Sequence, residues 1–168
     1  MEVRLLPWIF LLGVVTGSRT MTAIAVVCWA AWLGALPEHG WAIWITYLVS
    51  ALVFSGFAVG EYIGDTLPTT PSRKDLGPAT ARLVFASLVG ALAATAIYEP
   101  VAGGVLAGLL GGLVGTWGGY ALRTGAARLL GRDLPIAVME SAIALLLAIF
   151  AIWQLHQGIL IDMKRGAV

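Results

Sequence analysis

Six charged residues stand inside, or at the ends of, long apolar stretches: Arg19, Glu61, Asp65, Arg82, Arg123 and Glu140. A charge at membrane depth is costly, so it marks pairing, a wet cavity or work on a solute. Glu61 and Asp65 are four apart, which puts both carboxylates on one helical face. They are candidate partners for Arg19, Arg82 or Arg123, and could also bind a cation or carry a proton. Glu140 is expected to pair internally with Arg123 or Arg19. Arg19 follows Gly17-Ser18 and precedes Thr20. If the helix breaks there, Ser18 or Thr20 could cap a new half-helix. Its free N–H groups and the Arg19 guanidinium would then converge on one point, which is the chemistry of an anion site. The plainer readings are a structural ion pair at Arg19, an acidic pair facing water at Glu61 and Asp65, and arginines at 82 and 123 that snorkel to the headgroups.

The rest of the composition says what surrounds these charges. Of 168 residues, 60% are hydrophobic and 11% charged, against about 25% charged in a soluble domain. Mean hydropathy is +0.92. Lipid is therefore the solvent for most of the surface. A net charge of +1 provides no basic field for nucleic acid. Cys28 is the single cysteine, so no disulfide forms within the chain. It reads as a small apolar filler. His39 and His156 show no metal-ligand spacing, and no cofactor signature is present. Walker, HExxH, CxxC and GxSxG motifs are missing. An enzyme acting on lipid through Glu61 and Asp65 is the third-ranked reading.

Five apolar segments reach membrane-spanning length: 5–36, 41–63, 79–97, 101–130 and 134–161. They predict an all-α polytopic bundle forming one integral membrane domain. The first run exceeds a signal-peptide core of about 7–15 residues and reads as a retained helix. The Pro-rich stretch from Asp65 to Pro78 reads as a loop. Segments one and four are long for one crossing, so each is either tilted or broken, at Gly17–Thr20 and Gly115–Gly119 respectively. Because they would run in opposite directions, an inverted repeat with broken first and fourth helices is an expectation. The Lys/Arg bias predicts a cytoplasmic N-terminus.

Small residues four apart let helix backbones approach closely in lipid. Such pairs recur at Gly13/Gly17, Gly56/Gly60/Gly64, Gly104/Gly108/Gly112 and Gly111/Gly115/Gly119. They predict a crowded fourth helix and a homo-oligomer built on glycine-rich faces. Trp8, Trp41, Trp44 and Trp153 read as interfacial anchors. Trp117, which interrupts the glycine stripe, is a candidate to line a site.

Gly17-Ser18-Arg19, Glu61 to Pro68, Arg82, and Arg123 followed by Glu140 resemble the pattern of a bacterial family of small multi-pass membrane proteins known as a domain of unknown function. The resemblance covers most of the chain and implies no activity. Thr66 stands where that family often has Lys. The leading expectation is a small transporter or channel for a small polar or anionic solute. Ser18, Arg19, Thr20, Glu61, Asp65, Arg82, Trp117, Arg123 and Glu140 would form its site. A lipid-binding or scaffold protein is the alternative.

Overall fold

The computed structural model describes residues 5–64, 76–130 and 133–164. Six α-helices follow in order: α1 (Leu6–Ser18), α2 (Thr20–Trp32), α3 (Leu48–Gly64), α4 (Leu76–Ala96), α5 (Val101–Leu130) and α6 (Asp133–Lys164). A short 3-10 helix, Gly40–Thr46, precedes α3. No strand occurs among the described residues.

The first apolar run is where the fold departs most from the expected spans. It is two helices of 13 residues, separated by Arg19 in an extended conformation (φ −137°, ψ 98°). Three contacts with α6 give their directions. Leu5 packs into the space at Gly158. The Arg19 guanidinium reaches the carbonyl of Ala137, near the start of α6. The chain then returns, so that His156 Nδ1 donates to the Ala35 carbonyl. The segment is a helical hairpin with Arg19 at its tip, neither a tilted span nor a broken one. Each arm measures about 20 Å at 1.5 Å per residue, short of a hydrocarbon core of about 30 Å.

Segment two is also not one straight helix, since Gly40–Thr46 meets Leu48–Gly64 at 69°. α4 starts earlier than expected and takes in Pro78, a residue tolerated in a first turn. Segment four, by contrast, is unbroken over 30 residues. The expected pairing of a broken first with a broken fourth helix is therefore absent, because glycines in α5 serve packing and do not interrupt it. Three helices, Leu76–Ala96, Val101–Ala126 and Pro135–Lys164, are long and apolar enough to cross a membrane, and the bent pair would make a fourth.

α5 owes its central place to its glycines. Gly104, Gly108 and Gly112 face α4, where a Cβ would collide with Gly90 or Ala86. Gly111 and Gly115 face α1, where a Cβ would meet the backbone of Phe10 and Val14. Backbone thus lies against backbone on two sides of one helix, and van der Waals packing replaces the hydrophobic effect that lipid cannot supply. The α3 glycines behave differently: Gly56, Gly60 and Gly64 have open space where a Cβ would stand.

Two helix ends share one turn chemistry. After α2, Gly34 N–H donates to Ala31 and Ala35 N–H to Ala30, with Gly34 at φ +76°. This is a Schellman cap, whose left-handed position suits glycine. After α4, Tyr98 N–H donates to Thr95 and Glu99 N–H to Ala94. There the left-handed residue is Tyr98, at φ +57°.

Candidate site at the hairpin tip

The break at Arg19 leaves the last carbonyls of α1 and the first N–H groups of α2 without helical partners. Neither Ser18 nor Thr20 caps α2 with its side chain. The Ser18 hydroxyl donates back to the Val15 carbonyl, and the helix start has no local side-chain cap. Glu61, from the end of α3, takes that role. Its two carboxylate oxygens accept from Thr20 N–H at 2.8 Å and Met21 N–H at 2.9 Å. At the other broken end, Arg82 Nη1 donates to the carbonyls of Gly17 (2.9 Å) and Ser18 (2.8 Å). Each charge meets the helix terminus of opposite partial charge, the favourable arrangement for a helix dipole. Arg82 Nη2 also stands 3.6 Å from Glu61, so one ion pair bridges the gap in the helix.

Arg19 leaves the tip in the other direction. It is 1% exposed. Its guanidinium donates to the Ala137 carbonyl at 3.0 Å and lies 3.5 Å from Glu140. Its Cζ sits 5.5 Å from the centre of the Tyr62 ring, within cation–π range. The Tyr62 hydroxyl is 2.7 Å from that of Thr22. Glu140 is shared, with Arg123 on its other side at 3.8 Å.

The structure thus brings together Ser18, Arg19, Thr20, Glu61, Arg82, Arg123 and Glu140. Glu140 takes both partners considered for it. Arg82 turns into the bundle and does not snorkel: it is buried and donates to the Gly17 and Ser18 carbonyls. Trp117 faces outward, 44% exposed, and lines neither cavity described below. Asp65 lies outside the described residues. Tyr62 and the carbonyls of Gly17, Ser18 and Ala137 were not singled out. Tyr62 adjoins Glu61 in sequence, which is a usable signal, but a backbone carbonyl carries none.

Two cavities flank the tip. One, of about 380 Å³, runs between α1, α5 and α6 past Ser18, Arg123 and Glu140. It is otherwise apolar, with Val14, Ile143 and Leu147 along its walls. The other, of about 420 Å³, lies between α2, α3 and α4 and is lined by Thr20, Glu61 and Arg82. No group of three or more His, Cys, Asp or Glu suited to a metal occurs among the described residues. No protein-family model, curated protein or solved structure matches this chain.

Proposed function

We propose that the chain is a small membrane transporter or channel for a small anionic or polar solute, with the hairpin tip as its gate. The observation that carries this reading is the position of the tip, a non-helical backbone break held by long charged side chains with a cavity on either side. Irregular backbone at membrane depth is tolerated where it is buried in protein or lines a cavity. Helix ends at such breaks are used by transporters to hold substrate charge. Here the start of α2 already holds an anion, the Glu61 carboxylate. A solute anion would compete for the N–H groups of Thr20 and Met21 and for Arg82, and displacement of Glu61 would open the gate. In the other cavity Arg123 would attract the solute anion, which would compete with Glu140 for Arg123 and, behind it, Arg19.

The positive-inside bias supports a cytoplasmic location for the tip end of the bundle. Arg82, Arg123 and Arg128 lie toward that end, and the sequence joining α3 to α4 carries Arg73 and Lys74. α1 starts from the opposite end, so this orientation puts Leu6 toward the outer side, whereas the counted spans put the start of the first span inside. A bacterial inner membrane remains the proposed location. The open stripe Gly56/Gly60/Gly64 supports self-association through α3. A scaffold or lipid-binding role is favoured by one observation, the long apolar wall of the cavity beside α6.

The test is anion flux into proteoliposomes. Uptake of small inorganic anions is expected with the unaltered protein, lost with Arg19→Ala and altered with Glu61→Gln, which weakens the competing anion. Unaltered protein that passes no small anion or polar metabolite would point to the scaffold instead.

A further inference from the structure

At the end of the bundle away from the tip lies a buried carboxyl, that of Glu38. Glu38 lies in the connection between α2 and the 3-10 helix and is 9% exposed. Neither of its oxygens has a hydrogen-bond partner among the described residues. An ionised carboxylate in such a place lacks any donor to replace water, so it is either neutral or drawn out to solvent. Burial accordingly pushes its pKa up to about 8.

The connection that holds Glu38 is fastened at three points. The Schellman turn at Gly34 ties it to α2. His156 on α6 holds the Ala35 carbonyl at 2.8 Å. The His39 ring stacks on Tyr98, with centres 4.5 Å apart and planes 13° from parallel. Tyr98 keeps a left-handed backbone, uncommon for a bulky residue, at the turn between α4 and α5. Among the described residues, the titratable groups toward this end of the surrounding elements are Cys28 on α2, His156, Asp162 and Lys164 on α6, Tyr47 after the 3-10 helix, Tyr98 and Glu99 at that turn, and His39 beside Glu38. None donates a hydrogen bond to Glu38. Cys28 is fully buried and within electrostatic reach of it.

We infer that residues 33–39 form a proton-operated latch. Protonated Glu38 keeps it shut over Cys28, with the His39–Tyr98 stack as outer clasp, and loss of the proton releases it. The inference does not depend on the transport reading.

Labelling of the single cysteine with a maleimide in the intact, membrane-embedded protein tests it. In the unaltered protein, labelling is expected to rise in a step near pH 8 as Glu38 ionises. Ionisation of the thiol itself also raises labelling, so Glu38→Gln is the reference, and the step is expected to be lost in it. Infrared spectra at neutral pH should show a protonated carboxyl band that Glu38→Gln lacks. Identical labelling profiles in the two proteins, or no such difference band, would overturn the latch. Should Glu38→Gln not fold, Tyr98→Ala removes the clasp alone and must expose Cys28 below the step. Protection equal to the unaltered protein would likewise overturn it.

Discussion

The two ends of the helix bundle treat their carboxylates in opposite ways. At the hairpin tip, Glu61 accepts two backbone N–H groups and faces Arg82, and Glu140 sits between Arg19 and Arg123. At the other end, Glu38 is buried with no donor for either oxygen among the described residues. Burial alone does not decide whether an acid stays ionised. Partners do, because a guanidinium or an oriented N–H replaces the lost water and an apolar wall does not. The tip therefore supplies partners for its acids, and the Glu38 site supplies none among the described residues.

The largest effect that could break this contrast is expected at Arg82. Arg82→Ala leaves Glu61 beside a missing partner and strips two α1 carbonyls of their donor. Removing one member of a buried pair typically costs about 3–5 kcal/mol, read as a drop in unfolding free energy in detergent. Adding Glu61→Ala should cost less than the sum of the two single changes. Strict additivity would mean that the two charges do not act as one bridge. A loss at Arg82 no greater than that for Glu38→Gln would remove the contrast altogether.

The second effect is a pH dependence carried by Glu38. Its folded pKa of about 8 lies above the 4.5 of the free group. Between these values the folded chain holds a proton that the unfolded chain has released, so stability falls as pH rises. The contribution is complete below about pH 4.5 and gone above about pH 8. A shift of this kind is worth on the order of a few kcal/mol. Unfolding temperature measured across that window should decline in the unaltered protein relative to Glu38→Gln. Parallel curves would show that Glu38 does not carry it.

The smallest effect sharpens the comparison at the latch end. Gly34→Ala places a Cβ at φ +76°, where an L-residue costs about 1–2 kcal/mol. A modest fall in stability is expected, with earlier exposure of Cys28 on raising pH. No change in either would separate the Schellman turn from the latch.

Much of the site was legible in the residue string, because charged residues in apolar runs are conspicuous. Gly17-Ser18-Arg19 left a tilted and a broken helix both open, and the helix ends and the chain folds back at Arg19. The depth of Glu140 in its segment pointed to a pair with Arg123 or Arg19, and both stand beside it. The cap on α2 was not legible. Ser18 and Thr20 are the right residue types at the right place, yet Glu61, 41 positions from Thr20, does the capping. An ionised carboxylate bonds two N–H groups at once, and charge-assisted hydrogen bonds outcompete a single hydroxyl. Glu38 passed unnoticed because an acid between Pro37 and His39 reads as a solvated turn, and only the packing around it removes the water.

What the sequence by itself determined is the apolar character of the surface, the helical class, most of the charges inside the bundle and the glycine spacing of α5. These depend on composition and on spacings of a few residues. Only the tertiary structure decided that 5–36 folds back at Arg19, that α5 stays whole, and which acid meets which base. Hydropathy has no direction, so a long apolar run reads the same whether it crosses once or returns. The contacts that set the direction join Arg19 to Ala137 and Ala35 to His156, separations of 118 and 121 residues, and no local pattern records them.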